Sequence, residues 1–147
     1  MVQLTKYADY GIVLLSHFAR MATDAPASLL SARAISQETQ LSLPIVSKIL
    51  KILVKGGLLA SQQGIKGGYR LARPASAISI ADIIEALEGP VRMTECTGEI
   101  PGVCKTETSC AIKPHWAKIN QAILGSLRAL SLSAMTSPAS ELSFGGP

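Results

Sequence analysis

The stretch that most restricts what this chain can fold into is QLSLPIVSKILKILVKGG, residues 40–57. It reads as one helix with both ends marked. Ser42 is a candidate cap, Pro44 is tolerated in a first helical turn, and Gly56-Gly57 supplies the left-handed geometry that stops a helix. Ile45, Ile49 and Ile52 form the expected inner stripe, while Pro44, Lys48, Lys51 and Lys55 recur on the opposite face at steps of four, three and four. Just upstream, SARAISQET predicts a short helix opening at Ser31 that turns Ala32, Ala34 and Ile35 inward. Two helices separated by a short break, the second with a cationic outer face, make the helix-turn-helix pattern.

The next segment narrows the choice. LLASQQ is a strand pattern, GIKGG a glycine-rich turn and YRLARP a returning strand. Leu59, Ser61 and Gln63 share one face, and Tyr69 and Leu71 face together on the return. A hairpin with Lys66 at its tip, directly after the basic helix, reads as a wing. Its glycines permit a sharp turn and close approach to a phosphate. From Leu41 to Ala75 there are six basic residues and no acidic one, although the whole chain carries only +4. That segregation points to phosphate contact and hence to double-stranded DNA. Ser47, Lys48 and Lys51 on the helix, with Gln63 and Lys66 on the wing, are the candidate contacts.

The remaining chain supplies a frame. A first helix begins near Thr5 and repeats Ala8, Ile12, Leu15, Ala19 and Ala22 at helical steps, ending before the turn-like DAPA. SIADIIEALEGP is a short helix with capping-box spacing between Ser79 and Asp82. Pro114 opens a long helix whose Trp116, Ile119, Ile123, Leu127 and Leu130 leave an apolar seam suited to a second subunit. The expected fold class is mostly α with a small β wing: a winged helix-turn-helix domain over residues 1–90, a cysteine-containing loop over 91–113, and a dimerisation helix with its extension over 114–135. Residues 136–147, rich in Ser, Gly and Pro, are expected to be a disordered tail. At 147 residues, 48% of them hydrophobic, a real core is within reach. No apolar run approaches the roughly 18 residues of a membrane span, and the N-terminus does not read as a signal peptide, so the cytoplasm is the expected compartment.

All three cysteines fall in ECTGEIPGVCKTETSC, residues 95–110. An odd number in a reducing compartment argues against a disulfide framework. Cys96, Cys104 and Cys110 are separated by seven and five residues, longer than the hooks of a zinc ribbon or a thioredoxin-like redox pair. Long gaps around glycines suit a larger object, and soft thiolates suit iron, so an iron–sulfur cluster of either [2Fe–2S] or [4Fe–4S] type is the leading reading. Three thiols leave one iron position to another residue. Zinc on the same cysteines with His115 is the competing metal reading.

Taken in order, LTKYADYG, LSLPIVSKILKIL, GIKGGYRLARP, ISIADIIEALEG and the three-cysteine loop resemble the Rrf family of winged-helix transcription regulators, over roughly residues 2 to 135. ALEGPVRMTEC and HWAKINQAI look most like its branch that regulates the SUF cluster-assembly operon. The resemblance implies a homodimer that binds promoter DNA, has no small-molecule substrate and no enzymatic activity, and changes its DNA affinity with the state of a cluster in the loop. It also frames the fourth ligand. In the Isc-type pattern a histidine stands at the third position after the third cysteine; here that place is Lys113, and His115 lies two residues on. In the nitric-oxide-sensing pattern an aspartate of the first helix, donated by the partner subunit, completes the site, and LTKYADYG places Asp9 there. The discriminating recognition-helix glutamate of the family's best-known member falls on Ser47 and that member's minor-groove wing arginine on Gln63, so the operator sequence does not transfer.

The expected function is therefore a DNA-binding regulator, a repressor of cluster-assembly genes that senses iron–sulfur status. A nitric-oxide sensor built from the same parts is the neighbouring alternative. A small thiol-redox or electron-transfer protein is the alternative from another class, and it would have no use for the basic helix and wing.

Overall fold

The computed structural model describes residues 3–24 and 28–142. Helix α1 spans Lys6–Asp24, with the Thr5 hydroxyl accepting from the Ala8 amide at 3.4 Å. The DAPA turn falls almost wholly outside the described residues. Helix α2, Ala32–Thr39, is capped by Ser31, whose oxygen accepts from the Ala34 amide. Gln40 then takes the left-handed conformation, φ 58, and turns the chain into α3, Leu43–Lys55. The Ser36 hydroxyl donates to the Leu41 carbonyl at 2.6 Å and holds this turn closed. Ser42 occupies the cap position of α3 without a side-chain cap bond, and Gly57, φ 75, follows the helix end.

Strands β1, Leu59–Gln62, and β2, Gly68–Leu71, pair antiparallel with Leu59 opposite Leu71 and Ser61 opposite Tyr69, in keeping with the shared faces expected of these residues. The hairpin is braced at its base. Leu30 and Tyr69 exchange both backbone hydrogen bonds, at 2.9 and 2.8 Å, so the segment before α2 acts as a third rung. Gly68 makes this possible, because a Cβ there would lie 2.7 Å from the Leu30 carbonyl oxygen. Helix α4, Ile80–Glu88, starts with the complete Ser79–Asp82 capping box. One turn of 3-10 helix, Glu95–Thr97, carries Cys96 in the segment leading to α5, Lys113–Ala129.

The core lies among α1, α3 and α4. Leu14, Leu15 and Phe18 of α1 meet Val46, Ile49, Leu50 and Leu53 of α3 and Ile80, Ile83 and Ile84 of α4. This corrects the expected stripe of α3. Val46, Ile49, Leu50 and Leu53 are buried, while Ile45 and Ile52 are half-buried, a rotation of about one position. The helix is apolar at so many consecutive sites that two stripes fit its period, and the ridge that α1 presents selects one. The opposite face is as expected: Pro44, Lys48, Lys51 and Lys55 are all exposed. Helices α1 and α4 pack closely at Gly11, where an added Cβ would collide with the Leu87 side chain. His17, buried in α1, places Nε2 3.0 Å from the Glu38 carboxylate of α2.

Beyond α5 the chain turns back. Ile80 donates to the Leu130 carbonyl at 2.9 Å and Leu132 to that of Ile78 at 2.7 Å, which brings the fully buried Leu132 into the core. The expected tail contains a single turn of 3-10 helix at Ala139–Glu141, and residues 143–147 lie outside the described residues. Among the described residues no helix is long and apolar enough to cross a membrane.

Candidate nucleic-acid interface and thiol segment

The candidate reading face is assembled by α3 and the wing. Lys48 and Lys51 are exposed one turn apart on α3, Ser47 is half-buried beside them, and Gln63 and Lys66 are exposed on the hairpin. Among the described residues, no carboxylate lies within ion-pair distance of Lys48, Lys51, Lys55 or Lys66. Their charge is therefore available to an external anion. Lys48 has a neutral neighbour instead: its Nζ donates to the Tyr7 hydroxyl oxygen at 3.3 Å and lies 5.0 Å from the centre of the Tyr7 ring. Ile65, at the tip of the hairpin, is fully exposed.

The thiol segment hangs from α5 by polar clamps. Asn120, midway along α5, accepts from the Met93 amide at 2.9 Å and donates to the Val91 carbonyl at 3.3 Å. Glu107 accepts from the Gly102 amide at 2.7 Å with one oxygen and pairs with the Lys113 ammonium at 2.7 Å with the other. The Glu107 carboxyl is held below its ordinary value, first by the Lys113 hydrogen bond and then by the Gly102 amide. Lys113 is held above its ordinary value, first by Glu107, with further contributions from the nearby Cys96 and Cys104 thiols.

Cys96, Cys104 and Cys110 are free and half-buried. The Thr94 hydroxyl lies 3.2 Å from the Cys96 sulfur and the Thr106 hydroxyl 3.5 Å from that of Cys104. His115, in the first turn of α5, and Asp9, in the first turn of α1, are both exposed. Among the described residues, no three Cys, His, Asp or Glu side chains gather into a group that would hold a metal ion. The structure thus puts the three thiols on one segment without converging them, and Asp9 stands on a separate helix. Beside this segment an apolar groove of about 350 Å³ runs between residues 3–4, the end of α4 and α5, lined by Leu4, Ile84, Val91, Met93, Ile123 and Leu127.

Sequence reasoning missed Tyr7, Asn120 and Glu107. Asn120 was legible in part, as a polar interruption of the seam between Ile119 and Ile123. The partners of Tyr7 and Glu107 are set by the fold alone.

A basic helix in a helix-turn-helix, followed by a braced hairpin and bare of competing carboxylates, defines a winged-helix DNA-binding protein. The chain belongs to the Rrf2 family, described as iron-dependent transcriptional regulators, whose model matches residues 4–138. It is 29% identical over 139 residues to protein rrf2 of Nitratidesulfovibrio vulgaris, covering 95% of this chain and 90% of that one. It is 30% identical over 136 residues to the HTH-type transcriptional regulator IscR of Vibrio vulnificus, covering 92% and 78% respectively. Among solved structures, CymR, the global cysteine regulator of B. subtilis, superposes with a TM-score of 0.68 at 26% identity over 92% of this chain and 97% of that one. The IscR of T. potens shares the fold, with a TM-score of 0.69 at 24% identity over 98% of this chain and 94% of that one. The protein is a DNA-binding transcription regulator of this family.

Proposed function

We propose that this regulator is a homodimer that senses iron–sulfur status through a cluster on Cys96, Cys104 and Cys110 and controls genes of cluster assembly. The observation that carries the reading is the placement of three free, half-buried thiols on a segment clamped to α5. The donor set fits: the three free thiols are soft sulfur donors of the kind that suits iron. The same fold serves an IscR and a cysteine regulator, so the fold accounts for DNA binding and the thiols carry the cofactor assignment.

A bound cluster supplies an oxidant- and ligand-sensitive centre. The chain's own part is to hold it and to pass its state on. Cys96, Cys104 and Cys110 hold it, Asn120 and Glu107 fix the segment that carries them, and α5 links that segment to the DNA-binding domain. The fourth ligand we assign to Asp9 of the partner subunit, with His115 of the same chain as the alternative. Asp9 is exposed in the first turn of α1, where a second subunit could reach it. The dimer itself is supported by the half-exposed Ile119 and Ile123 of α5 and by the apolar groove beside them. Residues 1–90 then form the DNA-binding unit, 91–113 the cluster loop and 114–135 the dimerisation helix. DNA contact falls to Ser47, Lys48, Lys51, Gln63 and Lys66, and the cytoplasm is the working compartment.

The test is metal and acid-labile sulfide analysis of anaerobically purified protein, paired with DNA footprinting in the loaded and stripped states. Iron and sulfide lost together in a Cys104→Ser variant, with altered DNA protection, is the expected result. Colourless protein with one zinc per chain overturns the reading. Comparing Asp9→Ala with His115→Ala for cluster retention decides the fourth ligand. A footprint that responds to nitric oxide and ignores cluster supply would instead favour the nitric-oxide sensor.

A further inference from the structure

A surface lysine that contacts a phosphate has two requirements that conflict. It must be held, because a free lysine side chain loses up to about 2 kcal/mol of rotamer freedom on fixing. It must also keep its charge, because a carboxylate that positions an ammonium also neutralises it. Lys48 of α3 is held by an aromatic ring. Tyr7 reaches it from the first turn of α1, 41 residues away in sequence, with both a hydrogen bond at 3.3 Å and a cation–π contact at 5.0 Å. The phenol is a neutral partner, so Lys48 is positioned with its full charge intact.

The support under the ring is itself fixed. The Thr5 amide donates to the Glu88 carboxylate of α4 at 2.6 Å, which ties the start of α1 to the end of α4. The Thr5 hydroxyl caps the same turn through the Ala8 amide. Tyr7 is 39% exposed, an uncommon use of one of only six aromatic side chains in the protein. The core does not account for it, since Tyr7 is absent from the buried cluster and from the residues packed on it.

We propose that Tyr7 is a positioning residue for DNA binding: it holds Lys48 of the recognition helix in place for a backbone phosphate and acts through that lysine.

The test uses the full chain, a fluorescein-labelled duplex bearing the strongest site recovered by selection from random-sequence DNA, and anisotropy titrations over a range of salt. Tyr7→Phe keeps the aromatic face and should bind within about twofold of the parent protein, whereas Tyr7→Leu keeps the bulk without the face and should weaken binding about two- to fivefold. Lys48→Gln should weaken binding and lower the salt slope by about one. In the Lys48→Gln background Tyr7→Leu should have no further effect. A Tyr7→Leu loss that persists in that background, or Tyr7→Leu binding equal to the parent, overturns the proposal. A readout on the unsubstituted protein covers the case of a variant that folds poorly. Cross-relaxation between the Lys48 ε-methylene and the Tyr7 ring protons should be visible in the free protein, and its absence overturns the proposal equally.

Discussion

Helices α3 and α5 are built on similar apolar repeats and both carry cations, yet the fold treats them in opposite ways. Val46, Ile49, Leu50 and Leu53 of α3 are buried, whereas no residue of α5 is. Helix α3 is locked between α1 and α4, so its lysine row is presented on a rigid support. Among the described residues, α5 packs on the core through Leu127, with Leu130 just past its end, and it holds the thiol segment by two polar clamps, at Asn120 and at the Glu107–Lys113 pair. The difference separates two jobs. The half proposed to read DNA is preorganised by packing, and the cysteine-bearing half is held by contacts that can be exchanged at little cost.

Core truncation should break the comparison on the α3 side most strongly. Leu53→Ala removes a fully buried side chain and should lower unfolding free energy by about 2–5 kcal/mol, read by denaturant titration. The matched change on α5, Ile119→Ala, should leave stability within about 0.5 kcal/mol at protein concentrations where the chain is monomeric. Its effect should fall on association, as a weaker dimer in sedimentation equilibrium. Equal stability losses for the two would mean that α5 is a core helix after all.

Gly11→Ala probes the packing that fixes α1 against α4. The new methyl group meets the tip of Leu87, and overpacking partly offset by about 1 kcal/mol of helix propensity should give a net loss of about 0–2 kcal/mol by thermal melting. The turn that carries Tyr7 and Asp9 begins one residue beyond the Thr5–Glu88 contact. A displaced α1 should therefore also weaken DNA binding, beyond what the lost stability explains.

Asn120→Ala acts on the other half. It removes both hydrogen bonds to residues 91 and 93, worth about 1 kcal/mol each at most. Amide exchange should speed up across residues 91–113 and stay unchanged in α1 and α3. Uniform acceleration across the chain would show that the thiol segment is part of the same cooperative unit as the core.

The two halves were also unequally legible in the sequence. The lysine row of α3, the wing hairpin and the Ser79–Asp82 capping box could be read directly, because each is a local pattern with a fixed period or spacing. The inner face of α3 was misplaced by one position because large aliphatics fill most of its thirteen positions, leaving the stripe to be chosen by α1. Leu132, alone between serines, gave no sign of being buried; its place comes from the backbone pairing of Leu132 with Ile78 and of Leu130 with Ile80, some fifty residues earlier. The cysteine spacing was visible, but the clamps around it join residues across turns that have no period at all.

The smallest expected effect concerns the Glu107–Lys113 pair, and its sign is set by the two shifts. The Glu107 carboxyl is held below the ordinary 4.5, chiefly by Lys113, so its contribution is complete above that pH and is lost as pH falls through the depressed value. The Lys113 ammonium is held above the ordinary 10.5, chiefly by Glu107, so its contribution is complete below that pH and is lost as pH rises through the raised value. The contact should therefore hold the segment unchanged across the neutral range. The Gly102 amide proton, which donates to Glu107, reports on it directly by NMR. Its shift should stay constant as pH falls from neutrality, move only below 4.5, and lose that step in Glu107→Gln. A Gly102 transition near neutral pH would mean that some other group governs the thiol segment, and the polar-clamp account of this half would then fail at Glu107 while standing at Asn120.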